Sequence, residues 1–352
     1  MPIEILDKND YDRWNSLVER ADDATIGHFF EWREVVNAAY KFESFYILAT
    51  EQGGAPLAGL PFILVRSRLY GTELASMPYI DYGGVCHSDS LSPEGQNEID
   101  QDLYNYALRL GKLLGAKRLH IRSLRLCDPR FNVSTEKVTQ HLTLAKTVEE
   151  QLRQLPSERR NRLKRCKRIG LVAEIKPADD ERTLLEFCRI YNANMRDLGS
   201  PSHSIEFFKR IVHHFKKRIA LLVVRHQKDA IAAGIALEFR GHMSLPWTGA
   251  TAGARPLYGS NALYWGGIRL AIEQGCHTFD FGRSSFGSGI YEFKRQWGPR
   301  PHQAYWSTFY FRAGAKPPRE RRELRMASAL WRRLPLAVTR VVGPHLRKGI
   351  SN

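Results

Sequence analysis

The chain has 352 residues, 43% of them hydrophobic and 26% charged, a length and balance that suit two globular domains and exclude general disorder. Lys and Arg outnumber Asp and Glu by 53 to 37, for a formal net charge of +16 and a pI near 9.7. That excess points to anionic partners (RNA, nucleotide or CoA phosphates, or an anionic membrane face) and does not choose among them.

The N-terminal MPIEILDKNDYDRW has no basic n-region and no apolar h-region, so no secretory signal is predicted. No apolar run approaches the length of a bilayer span. Cys86, Cys127, Cys166, Cys188 and Cys276 are scattered without a CxxC pair. Neither a disulfide framework nor a zinc site is expected, and the expected compartment is a reducing cytoplasm. The histidines show no metal-ligand spacing, so no metal is predicted.

In chain order, helices are predicted around Tyr11–Arg20 and from about Phe30 to Ala39, where Trp32, Val35, Val36 and Ala39 recur at helical spacing. Two β-rich runs, Phe45–Thr50 and Leu57–Val65, flank the turn residues QGGAP and read as a hairpin. GTELASMPYIDYGGVC then gives a strand, a Pro-aromatic loop and a Gly-Gly turn. A helix from about Pro93 to Leu114, ended by Gly115, leads to the strand RLHIRSL. After a connection at 127–137, the strand HLTLAKT opens a second half of similar order. TVEEQLRQLPSERRNRLKRCKRIG is predicted as one helix, LVAEIKP as a strand, and ERTLLEFCRIYNANMRDLG and Ile205–Lys217 as helices. The run from Ile219 to Phe239 reads as two strands around RHQKD, and MSLPWTGAT as another strand. The helix NALYWGGIRLAIEQG and the strand HTFDFG close the pattern. Strand pairs followed by a helix and a further strand, twice over, predict two mixed α/β domains at 1–140 and 141–312. From Arg312 the chain turns basic, with Leu324, Leu330, Trp331, Leu334 and Leu336 interspersed. Pro317 and Pro318 fit the start of an amphipathic helix in this tail (313–352), and Pro335 interrupts it.

Three stretches carry candidate chemistry. In ARPLYGSNALYW a Gly/Ser loop feeds a helix at Asn261, so unpaired N–H groups gather there with Arg255 nearby. That end is either an anion site or a capped packing helix. In DFGRSSFGSGIYEFKRQWG, Asp280 ends a strand, and either orients a substrate amine or pairs with Arg283. Gly287 and Gly289 permit close backbone approach. Tyr291, Phe293 and Trp297 can wall a groove, while alternation in an extended segment would put Lys294 on the face opposite Phe293. The basic run Arg153–Arg168 is either a solvated helix face or a phosphate or RNA contact; it lacks the interleaved aromatics of a base-stacking surface.

LPFILVRSRLYGTELASMPYIDYGGV, MRDLGSPSHSIEFFKRI and FDFGRSSFGSGIYEFKRQWG together resemble the FemAB family of GNAT-fold acyltransferases. The nearest flavour is that of FemAB-like proteins of exosortase (XrtA/PEP-CTERM) and exopolysaccharide loci, with a BioF2-like acetyltransferase second half. The resemblance spans roughly residues 10–311. It implies an α/β (α+β) fold of two tandem GNAT-like domains, with mixed, mostly antiparallel sheets flanked by helices. It also implies acyl transfer onto an amine of a cell-envelope or saccharide precursor, from acyl-CoA or aminoacyl-tRNA as co-substrate and with no bound cofactor; the alternatives are a non-catalytic GNAT-like scaffold in polysaccharide or envelope assembly and an aminoacyl-tRNA-dependent transferase of the peptidoglycan-bridge type. Carried over residue by residue, Phe293 and Lys294 match the pair that stabilises transition-state charge, which agrees with the oxyanion that aminolysis builds. Asp280, Arg283, Tyr291, Trp247 and Tyr79 would bind substrate, and Arg255, Gly259, Ser260 and Asn261 the donor phosphates. Two Fem features are missing: a Lys shortly after the early Trp, where the chain reads REVVNAA after Trp32, and the long helical arm that meets tRNA. The resemblance also places the protein in the cytoplasm at the inner membrane face, with the basic tail either tethering it to anionic lipid or packing on the domain.

Overall fold

A computed structural model describes residues 1–67, 71–312 and 322–350. These form two compact units. Unit 1 takes Met1–Lys137 with 303–312 and 348–350, and unit 2 takes Val138–His302 with 322–347.

Unit 1 begins with β1 (Ile3–Leu6), α1 (Tyr11–Arg20), α2 (Trp32–Tyr40), β2 (Glu43–Thr50), β3 (Pro56–Ser67) and β4 (Gly71–Ala75). The strands pair antiparallel in that order. A two-residue strand β5 (Cys86–His87) adds to β3. The crossover helix α3 (Pro93–Leu113) starts on a Ser92 cap with Pro93 behind it, the pairing of capping hydroxyl and preset φ that opens helices. It returns the chain to β6 (Arg118–Ser123), parallel to β4. Phe62, Leu64, Leu74, Leu103, Leu119 and Ile121 fill the core beneath this crossover.

Unit 2 repeats the scheme after β7 (Asn132–Thr143), whose first part belongs to unit 1. The single helix expected from Thr147 to Gly170 is two: α4 (Val148–Gln154) and α5 (Ser157–Arg168). Pro156 is the reason, since it lacks the N–H a continuous helix needs and pushes Leu155 into extended backbone. Then come β8 (Ala173–Pro177), α6 (Glu181–Asp197), α7 (Ile205–His214), β9 (Ile219–His226), β10 (Asp229–Phe239) and β11 (His242–Ala250), all antiparallel neighbours in the order β8-β9-β10-β11. The crossover α8 (Gly259–Glu273) leads to β12 (Thr278–Asp280), parallel to β11. A short β13 (Ser284–Ser285), α9 (Gly289–Arg295) and β14 (Arg300–Tyr310) follow.

The last strands are exchanged along the chain. Tyr305–Tyr310 of β14 pair with β6 of unit 1, while His141–Thr143 of β7 pair with β12 of unit 2. Residues 303–312 therefore pack with unit 1 rather than with the 141–312 segment expected from the sequence. In unit 2, α8 packs over one sheet face on Leu222, Ala232, Met243, Leu245 and Phe279. The tail forms α10 (Arg322–Trp331), with side chains described from Met326, and α11 (Leu336–Arg347). The Ser328 hydroxyl donates to the Gly199 carbonyl at 2.6 Å, Thr339 is buried, and α11 packs against α6. Pro317 and Pro318 lie outside the described residues.

Candidate active site

The site begins where the sheet of unit 2 opens. β11 and β12 pair over His242–Ser244 and Thr278–Asp280, and β12 ends there. β11 continues to Ala250 along β10. Its register with β10 passes from Ser244 opposite Leu237 to Trp247 opposite Ile235, so Leu245 and Pro246 face one residue, a β-bulge that tolerates Pro's missing N–H. The bulge inverts the side-chain alternation. Met243 and Leu245 join the core under α8, whereas Trp247 turns to the other face and meets Phe207 and Phe208 of α7 edge-on at 5.8 Å. Past Ser244, the β11 edge is released from the β12 ladder. Because the two strands are parallel, their carboxyl ends and the start of the intervening helix α8 lie at the same end, where α/β sheets take ligands.

The α8 start has no side-chain cap: Tyr258 at the N-cap holds the left-handed region at φ 61°. Gly259 is required there, because a Cβ would stand 2.9 Å from that of Ala254. Asn261 is buried, Ser260 is partly exposed and Arg255 is exposed. Sequence reasoning missed Arg159 of α5. It is 1% exposed, and its guanidinium donates to the side-chain oxygens of Asn261 and Gln296. It also lies 5.3 Å from the Phe293 ring and 4.7 Å from that of Trp297. Burial, and then the charge of Arg162, push its pKa down to about 10. Arg162 and Arg165 stack over Tyr258. Asn261 and Phe293, predicted for separate roles, are thus bridged by one buried cation.

The loop after β12 is fixed from two sides. One Asp280 oxygen accepts from the Thr139 hydroxyl and from the Gly282 N–H, both at 2.7 Å. The other lies 3.5 Å from Nε2 of His141. The segment Gly289–Arg295 is a helix, not an extended strand; the Ser288 hydroxyl caps it by accepting from the Tyr291 N–H. Lys294 is consequently turned inward and buried, and its ammonium donates to the carbonyls of Gly282 and Arg283 at 2.8 and 2.9 Å. Tyr291 is buried, with its ring 4.9 Å from that of the exposed Phe286, and Arg283 is half-buried. Trp247 is 4% exposed. Tyr79 belongs to unit 1, where its hydroxyl donates to the Lys348 carbonyl at 2.8 Å. Every other predicted site residue lies in unit 2. His141 and Thr139 carried no sequence signal, because they meet Asp280 only through sheet pairing.

Among the described residues no group of His, Cys, Asp or Glu could hold a metal ion, and no helix is long and apolar enough to cross a membrane.

A strand, crossover helix and parallel strand whose ladder opens past a bulge form the mixed α/β centre of unit 2. Residues 157–295 match the family described as "Acetyltransferase (GNAT) domain". FemX superposes at TM-score 0.65 with 12% identity, over 87% of this chain and 97% of its own. A tandem GNAT protein from the clavulanic acid biosynthesis pathway matches at TM-score 0.54 with 11% identity, over 90% and 100%. The C-terminal domain of a putative lysylphosphatidylglycerol synthetase from Agrobacterium fabrum matches at 0.54 with 14% identity, over 85% and 92%. No curated protein matches the chain in sequence. Residues 157–295 thus carry a GNAT acetyltransferase domain, and the chain as a whole shares its fold with FemX and with a tandem GNAT protein.

Proposed function

We propose that unit 2 transfers an acyl group from acyl-CoA to an amine of a cell-envelope or exopolysaccharide precursor at the inner face of the cytoplasmic membrane. The observation that supports this reading is the β11 edge released after Ser244 beside the uncapped start of α8. Such an edge offers backbone groups to an extended acyl arm, and such a helix start favours phosphate. Gly259, Ser260, Asn261 and Arg255 take the donor phosphates, with Arg159 behind Asn261. Lys294 and Phe293 stabilise the oxyanion formed on attack. Asp280 and Arg283 orient the acceptor, and Tyr291 and Trp247 support the groove wall. An exosortase-linked setting belongs to this proposal.

The experiment gives the full chain radiolabelled acetyl-CoA or charged aminoacyl-tRNA, with glucosamine, glycinamide or an envelope extract as acceptor. Label in an amide from acetyl-CoA is expected, and no transfer from either donor overturns the reading. One observation favours aminoacyl-tRNA as the donor: α5 exposes Lys164, Arg165, Lys167 and Arg168. Ribonuclease-sensitive transfer would select that donor.

The outer side of the tail supports peripheral membrane contact. Val338, Val341 and Val342 share one face of α11 by helical spacing and are 41%, 68% and 39% exposed, with Arg340 exposed on the same helix, an apolar stripe on a basic helix suited to anionic lipid. Val341→Glu should release the protein from phosphatidylglycerol vesicles, and unchanged flotation removes the tether.

A further inference from the structure

One row of side chains crosses the sheet of unit 2 at its last paired step before β11 and β12 part. Asp280 stands opposite Ser244 on one side and His141 on the other. Directly opposed residues share a face, here the face turned away from Phe279, Phe281 and Leu142 in the α8 core. His302 extends the row, its ring 4.5 Å from that of His141 and tilted by 34°. Exposure rises along the row: Asp280 is buried, His141 half-buried and His302 exposed.

The carboxylate lies on the Nε2 side of His141 and biases where its proton sits. One Asp280 oxygen is already occupied by the Thr139 hydroxyl and the Gly282 N–H, so the other is turned to Nε2 of His141 at 3.5 Å. A carboxylate on one ring nitrogen favours the proton there, which leaves the lone pair on Nδ1. The charged and titratable groups around His141 include Asp280 from β12, His302 from β14 and His242 from β11. His277 in turn faces His242, and Arg240 and Arg300 act on His242 and His302. Burial first, and then the neighbouring imidazoles, hold the pKa of His242 and of His302 below the usual histidine range. At the exposed end of the row, His302 therefore gives up an added proton readily to solvent.

Acyl transfer to an amine has such a proton to move. We propose that His141 is the general base of the reaction, with Asp280 as its positioning residue and His302 leading the proton to solvent; this rests on the acyl-transfer reading above. The acceptor arrives as an ammonium and gives one proton to Nδ1 of His141. Its nitrogen then attacks the acyl carbon of a thioester or ester, the N–C bond forms, and the carbonyl electron pair moves to oxygen. As the oxyanion collapses, the C–S or C–O bond breaks, and a second proton from the former amine goes to the leaving sulfur or oxygen. The products are an amide, a thiol or alcohol, and a proton released through the histidines.

The test uses the full chain with acetyl-CoA as donor and glucosamine or glycinamide as amine. His141→Gln, checked for folding by its thermal melt, is expected to lower kcat by about 10²- to 10⁴-fold and leave the KM for acetyl-CoA unchanged. It should also flatten the acidic limb of the kcat/KM profile and respond to added imidazole. Asp280→Asn should show a smaller loss with an altered acidic limb. Nitrogen NMR of the wild-type protein covers a misfolded variant, and the Nε2–H tautomer is expected for His141. The proposal is overturned by undiminished transfer in folded His141→Gln, by an unchanged acidic limb, or by the Nδ1–H tautomer. Absence of transfer by the wild-type protein instead overturns the acyl-transfer reading, and the base with it.

Discussion

At the scale of single residues, unit 2 buries the two cations Arg159 and Lys294, and they are held differently. Arg159 is buried against amide oxygens and ring faces, a setting in which a charge persists only if its hydrogen bonds are kept. Arg159→Ala would leave the Asn261 and Gln296 amides without their donor and open a hole beside Trp297. A loss on the order of 2–4 kcal/mol is expected, read as a lower urea midpoint. Arg159→Lys should recover little of it, since a single ammonium cannot reproduce the guanidinium fork. Lys294 clamps the loop that follows Asp280 through two carbonyls. Lys294→Ala should cost about 1–3 kcal/mol for the stranded carbonyls and, on the proposed role, about 10²- to 10³-fold in kcat. The two effects separate at a temperature where the variant is fully folded: normal turnover there makes Lys294 a loop clamp and nothing more.

Elements with local signals were legible in the sequence, and those made by tertiary pairing were not. α3 was expected at Pro93–Leu114 and ends one residue earlier, because Ser92, Pro93 and Gly115 each mark an end by a short-range effect. The helix after the Gly/Ser loop was equally clear. The bulge at Leu245–Pro246 had no local mark except a proline inside an apolar run, so the inward turn of Trp247 could not be foreseen. α9 was ambiguous because Tyr291, Phe293 and Arg295 alternate like a strand, and only the Ser288 cap decides for a helix. The row through Asp280 was invisible, since Thr139 and Asp280 are 141 positions apart. Packing between elements also yields a sharp test. Gly266 of α8 sits against β8, where an added Cβ would stand 2.3 Å from that of Ala173. Alanine would gain about 1 kcal/mol of helix propensity against an overpacking cost of about 1–3 kcal/mol. Gly266→Ala should therefore lower stability by denaturant melt, and adding Ala173→Gly should relieve the clash and show positive coupling in a double-mutant cycle.

For the molecule as a whole, a buried triad in unit 1 contributes to the dependence of stability on pH. His87 is 2% exposed and lies between Asp23, 2.6 Å from Nδ1, and Asp100, 2.8 Å from Nε2, with Arg125 3.6 Å from both carboxylates. Burial alone would lower the pKa of His87, but the hydrogen bonds to Asp100 and Asp23 outweigh it and raise the value. Burial likewise favours the neutral form of Asp23, yet the hydrogen bond and charge of His87 hold its pKa below the usual carboxylate range. A histidine whose folded pKa is raised contributes stability that is fully present below its unfolded value near 6.5 and lost as pH rises through the folded value. Asp23 acts in the opposite sense, contributing above its unfolded value near 3.9 and losing that contribution as pH falls. Two other buried histidines oppose His87 between these limits. Burial, followed for His203 by the charge of Arg347, lowers the pKa of His28 and of His203, so both favour unfolding as acid charges the unfolded chain. A wild-type profile alone would mix these contributions, and a difference between two proteins isolates one. His87→Gln removes the titrating ring, so the stability gap between wild type and variant should be wider at pH 5.5 than at pH 8.5, with His203 cancelling and the lesser influence of His87 on His28 subtracting from the gap. Urea melts of both proteins at the two pH values measure it. A gap that stays constant or widens toward alkaline pH would show that His87 is held neutral between its two carboxylates.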